Sequence, residues 1–592
     1  MKPDRPLRPL WLRATCLSAL ALVLACITWS QMLLASPATQ DGDGEFFQRL
    51  IEAGKWSLLR YHELPLWNPY ECGGIPLWDS PQSIVAAPLV LLSTPLSSLH
   101  TLWVWYIGHA ALGFVGMWLL ARHELGVTRP AALVAACLWA FSVSHSSQYS
   151  GGHDALTPFL YAPYALLFWR RAETSKNMAV ALGLLFALLF QEGATYPIPL
   201  IALMLGVETL TRVLPPRRIP RIVLAALIAL VVMVIVGANR LLPVVFQLAT
   251  HKRVMDWPDV DSLANLATLR DMLFFRHREW YARPAGQQYS WSEYVDYHGY
   301  IVMALAAIGL VASATTRKWW LAFVGLVLFL CMMGHSSPYA PWELLTKHVF
   351  PFKSMRVPAR FRLLLVMFVA SWVALAVDRV PLIVQRWTGR VNFARAVRAV
   401  LVGLALLGAG DVMGVATDQI ASRFIVAHPA VPPVVIPSAR LYYGGPGLAA
   451  QMDRPHQNRA GRECGNGEHW GFSFGAPIWE GDVPQARAVD DAVVVEVANR
   501  TQNTFLIDVV AARPGRILVN TAYERGWRTE LGTLSELDHQ LVLDLPEGRH
   551  RLKLWYEPLA LRAGLWSTGV GLVLVALFFA RGAIARRLSR KR

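Results

Sequence analysis

Charge is scarce in this sequence. Only 16% of its 592 residues are Asp, Glu, Lys or Arg, against about a quarter in a soluble globular chain. Acidic residues are the rarer kind, 40 against 56 Lys and Arg. Cysteine is rarer still, with six in the whole chain. That is too few for a disulfide framework at this length, and no CxxC or His/Cys spacing suggests zinc. Walker, GxGxxG and GxSxG patterns are missing, which argues against a bound nucleotide as energy source and against a serine-hydrolase elbow. No internal repeat of the kind built into many transporters is visible.

Apolar sequence is what the chain has in abundance. Hydrophobic residues make up 54%, and runs of roughly 18 to 22 residues recur, each able to cross a hydrocarbon core of about 30 Å. Segments near 14–34, 101–121, 131–143, 155–169, 179–190, 198–210, 222–238, 300–314, 319–333, 361–377, 399–415 and 561–579 read as about twelve spans. The expected fold class is a polytopic α-helical membrane protein. The net charge of +16 does not call for nucleic acid. Lys and Arg collect in short stretches between apolar runs, as at Arg170, Arg171 and Lys176, at Arg217, Arg218 and Arg221, and in the tail from Arg586 to Arg592. That is the positive-inside pattern, and it places both basic termini in the cytoplasm. The first apolar run reads as a retained span, because Ser36-Pro37-Ala38 is a weak cleavage site.

The span order defines a membrane domain over 1–416 with outer loops at 35–98, 239–298 and 334–360. From 417 to 558 hydropathy falls. Runs at 492–497, 505–510, 516–520, 541–545 and 551–555 alternate like strands between turn signals, which predicts an extracytoplasmic β-sandwich. A final span and a basic cytoplasmic tail fill 559–592. Cys72 and Cys464 both fall in outer regions, where a bridge is chemically permitted.

Four groups of residues could carry chemistry. Asp41, Asp43 and Glu45 alternate with glycine just past the first span. They could supply a general base, or Asp41 and Asp43 could ligate Mg²⁺ or Mn²⁺. A solvated turn opening a helix near Phe46 fits the same spacing. Trp67, Tyr70 and Trp78 suit a membrane-interface belt or a sugar-stacking surface. His153, Asp154, Glu192 and His335 fall in outer loops near membrane depth, where polar groups from several helices would form a site if they converged. Lys353, Arg356, Arg360 and Arg362 make an outer segment cationic, against the orientation rule. Arginine binds phosphate in a bidentate fork, which suits a lipid phosphate, while headgroup anchoring explains the same charges.

Read in chain order, these residues resemble the bacterial YfhO-like membrane proteins, a branch of the GT-C glycosyltransferases. The resemblance is carried by Gly42-Asp43-Gly44 with Gln48, by Leu66-Trp67-Asn68-Pro69 with Gly73-Gly74-Ile75-Pro76, and by Pro81-Gln82. His153, Arg356-x-Pro358-x-Arg360-Phe361 and Gly526-Trp527 continue it. It implies a GT-C fold in the bacterial inner membrane and sugar transfer on the outer face. The donor would be a polyprenyl-phosphate sugar, and the acceptor an envelope glycan, lipid or protein. Asp43 matches the family's catalytic acid in the first outer loop. His153, Asp154, Glu192, His335, Lys353, Arg356 and Arg360 are the substrate-binding candidates. A flippase for lipid-linked saccharides and a non-catalytic envelope scaffold are the rival functions.

Overall fold

The structure is a computed structural model. It describes residues 10–30, 33, 38–40, 43–213, 216–251, 259–263, 265–276, 282–314, 318–421, 424–426, 442–443, 459–460, 478–479 and 481–589. Among them, five helices are long and apolar enough to cross a membrane: Ser98–Leu125, Pro216–Val236, Pro358–Thr388, Val391–Ile420 and Leu561–Arg581. Five more apolar helices are shorter, of 10–17 residues, including Lys176–Gln191 and Pro197–Leu210. The count of about twelve spans is not established by these helices. Two of the segments read as spans form helices of 12 and 11 residues, Arg129–Ala140 and Ala162–Ala172. They reach about 18 and 16 Å, short of a bilayer core. Backbone signals end them: Pro130 opens the first, Gly126 in the left-handed region closes the turn before it, and Pro163 sits in the first turn of the second.

The helices sort by what surrounds them. Pro358–Thr388 is enclosed by other helices, with Leu363, Leu364, Phe368 and Val373 all buried. Leu561–Arg581 is the opposite case, presenting Leu572, Val573, Leu574 and Leu577 outward. An apolar surface of that extent is unfavourable in water and ordinary in lipid.

The C-terminal β region is a sandwich of two four-stranded sheets. Its strands are β1 (Ala486–Ala488), β2 (Val493–Arg500), β3 (Thr504–Ala511), β4 (Gly515–Ala522), β5 (Trp527–Thr529), β6 (Thr533–Leu537), β7 (Gln540–Leu545) and β8 (Gly548–Tyr556). One sheet has the order β5-β8-β3-β2 and the other β6-β7-β4-β1. All the pairings within both sheets are antiparallel. Phe505, Ile507 and Val509 on β3 alternate with outward residues and meet Ile517, Val519, Leu541 and Leu543 of the other sheet. The expected strands are all present. β1, β5 and β6 are additional, and each is too short or too polar to show alternation.

The sandwich is docked on the first outer loop. Trp67 is fully buried, edge to face with Trp527 at 5.2 Å and tilted against Tyr556 at 4.6 Å. Its amide donates to Asn503 Oδ1 at 3.0 Å, and Gln502 Nε2 donates to the carbonyls of Trp67 and Ala53. Gly74 has φ +114 and lies under the Trp67 ring, where an added Cβ would come within 2.5 Å of it. Trp67, Tyr70 and Trp78 are therefore neither an interface belt nor an open sugar platform. All three are buried: Trp67 forms the joint between loop and sandwich, Tyr70 packs in the helical core, and Trp78 packs against Ala86 and Leu561 and donates to the Asn239 carbonyl at 3.0 Å. Cys72 in this joint is disulfide-bonded, while Cys16, Cys26, Cys137 and Cys331 are free. Cys464 lies outside the described residues.

Candidate functional site

The segments that form the site are set by short local signals. Ser142 caps Val143–Ser150, its hydroxyl accepting from the His145 amide at 3.3 Å. That helix ends in Gly151-Gly152, with φ +76 at Gly152, so the chain reverses and presents His153 ahead of a 3₁₀ turn over Asp154–Tyr161. In the arginine segment, Val357 has φ +66. A β-branched residue in the left-handed region is strained, by about 1–3 kcal/mol. Pro358–Phe361 follows as a 3₁₀ turn and leads into the long helix at Arg362.

Glu293, on the loop before Gly299–Ala314, is the hub. It is almost wholly buried. Arg360 donates to both of its oxygens, from Nε at 3.1 Å and from Nη2. His153 Nδ1 lies 3.9 Å from Oε1 and 2.6 Å from Gln148 Oε1. Burial alone would raise the Glu293 carboxyl, but Arg360, His153 and Arg362 outweigh it and hold it at about 2. Arg362 is fully buried, donating to the carbonyls of Val295 and Ser292 and to Ser147 Oγ at 3.0–3.1 Å. Beside it, Asp296 accepts from Ser144 and lies 3.3 Å from His298. The Arg360 guanidinium stacks over Tyr196 at 4.5 Å, and the Tyr196 hydroxyl accepts from the Arg356 amide at 3.4 Å.

A second carboxylate group adjoins this hub. Tyr294 donates to Asp261 at 2.5 Å, Tyr289 donates to Asp259 at 3.1 Å, and His335 bonds Glu343 and lies 3.7 Å from Asp259. Burial pushes the Asp261 carboxyl up to about 6.

The sequence-predicted residues divide as follows. His153 and Arg360 meet at Glu293, and Arg356 reaches the same cluster through Tyr196. His335 belongs to the adjoining carboxylate group. Asp154 instead accepts from Tyr106, and Glu192 accepts from Tyr161 and lies 3.1 Å from His109; both carboxylates are buried among helices. Lys353 is exposed on the turn before Arg356. Asp41 lies outside the described residues. Asp43 and Glu45 are described as backbone only, in the first turn of Asp43–Arg60. Among the described residues, no three His, Cys, Asp or Glu side chains are grouped to hold a metal.

Glu293 and Asp296 are the residues that reading for motifs misses. The signal was present in Trp291-Ser292-Glu293-Tyr294-Val295-Asp296-Tyr297-His298, a polar and aromatic run abutting an apolar helix.

A separate charged group lies away from the site. Arg170 and Arg171 pair with Glu124, Arg170 and Arg212 with Glu208, and Arg212 and Arg218 with Glu173. Lys176–Gln191 starts three residues after Glu173 and ends next to Glu192, so it carries the chain about 24 Å between these two carboxylates. Arg170, Arg171 and Arg218 thus lie near the start of that helix, and Glu192 follows its end.

No protein-family model and no curated protein matches the chain. Solved structures do. The arabinofuranosyltransferase AftD from Mycobacteria is similar over 68% of this chain and 27% of its own, at 15% identity and TM-score 0.42. The Archaeoglobus fulgidus oligosaccharyltransferase in its apo form is similar over 76% and 64%, at 13% identity and TM-score 0.45. This chain thus spans about a quarter of the first protein's length and just under two thirds of the second's. Neither likeness assigns this chain a family.

Chemically, the cluster joins a buried, ionised carboxylate to fixed guanidinium groups and a histidine in a dry setting. Such groups hold their positions without reorganising and interact strongly with a charged ligand.

Proposed function

We propose that the chain is a membrane glycosyltransferase of the GT-C kind, YfhO-like in its motif order, acting at the outer face of a bacterial cytoplasmic membrane with both termini inside. It moves a sugar from a polyprenyl-phosphate donor to an envelope glycan, lipid or protein. One observation carries the reading: His153 and Arg360, from separate segments, meet at a buried carboxylate, Glu293, and Tyr196 from a third stacks under Arg360 and accepts from the Arg356 amide.

In this reading Asp43 takes the proton of the acceptor hydroxyl, and Asp41 and Glu45 set the charge of the turn around it. The hydroxyl oxygen bonds to the anomeric carbon as the bond from that carbon to the phosphate oxygen breaks. The bonding pair leaves with polyprenyl phosphate, and the configuration at that carbon inverts. Arg356 and Lys353 meet the departing phosphate. Arg360 already has its fork filled by Glu293, so it is a positioning residue that fixes the segment carrying Arg356. His153 orients substrate from the Glu293 hub, with Asp154, Glu192 and His335 behind it as supports. A divalent Mg²⁺ or Mn²⁺, where bound, would be held by Asp41 and Asp43 and would supply charge neutralisation.

The test is transfer of radiolabelled sugar from a synthetic polyprenyl-phosphate sugar by the purified full-length protein. The expected result is transfer by the wild type that disappears in Asp43→Asn while the melting temperature is unchanged. Equal transfer by the variant removes Asp43 from the mechanism.

A further inference from the structure

The segment just ahead of the arginines touches the site through Glu343, which pairs with His335, and the rest of it presents an unusual exposed surface. Pro341–His348 is a helix whose Trp342 is buried, edge to face with Phe361 at 5.8 Å and Phe352 at 6.2 Å. That anchor fixes the opposite face outward. Leu344, Lys347 and His348 lie on it at helical spacing. The flanking turns add Tyr339, 85% exposed, and Phe350, 82% exposed, with Val349 and Lys353 beside them. Two large rings and two aliphatic side chains thus project outward among Lys347, His348 and Lys353, with the only acid of the helix, Glu343, already bonded to Lys347 and His335.

We infer that this surface, from Tyr339 to Lys353, lies in the headgroup layer of the bilayer and docks on anionic phospholipid. Three features favour a lipid occupant. The helix follows, after eight residues, the apolar helix Trp319–Met332, which presents Leu326, Phe329 and Leu330 outward. Rings flanked by cations match an interface that is apolar below and anionic above. Lysines near such a surface are drawn to its negative potential. The Trp342–Phe361 contact then sets the height of the arginine segment above the membrane. This inference does not depend on the chain being an enzyme.

The test uses the full chain in vesicles. Cys16 and Cys26, exposed and free, are changed to serine. A fluorophore is then placed through Phe350→Cys, through Tyr339→Cys as a second probe, and through Arg551→Cys on the sandwich as a reference. The signal of the parent without an introduced cysteine is subtracted. The expected result is severalfold stronger quenching of the first two probes by doxyl-labelled phospholipid than of the Arg551 probe. Quenching should be stronger in phosphatidylglycerol vesicles than in pure phosphatidylcholine, and that difference should shrink in Lys347→Gln/Lys353→Gln. Probes quenched by aqueous iodide like the reference overturn the lipid placement. Quenching indifferent to lipid charge overturns the anionic-headgroup assignment. Sugar transfer is not read, so this result and the enzymatic reading can fail separately.

Discussion

Arg360 and Glu293, 67 residues apart, form a two-point ion pair in a nearly dry setting, with Nε to Oε2 at 3.1 Å. The pair ties the loop before Gly299–Ala314 to the strained turn at Val357. Removing one partner of a buried pair leaves an unpaired charge and costs about 3–5 kcal/mol. Glu293→Ala and Arg360→Ala are each expected to lower the melting temperature in detergent. The double variant should lose less than the sum of the two, which a double-mutant cycle reads as coupling. Additive losses would mean the pair is not coupled.

The same pair sets an acid limit. Glu293 is held at about 2, below its ordinary value. A depressed carboxyl contributes stability above its unfolded pKa and loses it as pH falls toward the folded one. Stability should therefore drop between about pH 4 and pH 2, and Glu293→Gln, already destabilised, should show a flatter profile there. A thermal scan against pH measures this.

Asp79 behaves in the opposite sense. It accepts from the Tyr556 hydroxyl at 3.0 Å, and burial pushes its carboxyl up to about 7. The folded state therefore binds a proton that the unfolded chain has released, so this contribution is full at low pH and is lost as pH rises from about 4 to 7. Asp79→Asn should remove that slope, since the amide is uncharged at every pH. Hydrogen exchange at β8 across this pH range is the measurement. A slope unchanged in Asp79→Asn would assign it to another group.

The sandwich joint rests on Trp67 between Trp527 and Tyr556. Trp67→Ala should cost about 3–5 kcal/mol and loosen the sandwich from the first outer loop. Limited proteolysis should then release the C-terminal β region faster than in the wild type. Gly74→Ala should act in the same direction, because its Cβ would enter the Trp67 ring.

Much of this arrangement was legible in the sequence. The apolar runs became helices, and the alternating runs on β3, β4, β7 and β8 became the sandwich core. His153 and Arg360 were legible as polar groups at outer loop ends, and they meet. Glu293 was not, because it is one acid among seven in the loop 239–298 and no periodicity or motif marks it; only the fold brings it under Arg360. The role of Trp67 was misjudged for a related reason. An aromatic between turns reads as exposed until a distant segment, here Gly526-Trp527 and Tyr556, supplies the surface that covers it. Span number is not settled by hydropathy, which reports apolar length, while Pro130, Pro163 and Gly126 limit how much of that length is one continuous helix.

The proposed reaction requires the acidic turn and the arginine segment to open on the same, non-cytoplasmic side. Gln40→Cys and Ser354→Cys, each labelled in intact cells with a membrane-impermeant maleimide, test it directly, against an unlabelled parent carrying Cys16→Ser and Cys26→Ser. Both positions should label without permeabilising the membrane. Labelling of one from outside, and of the other only after the cells are opened, would contradict the shared site.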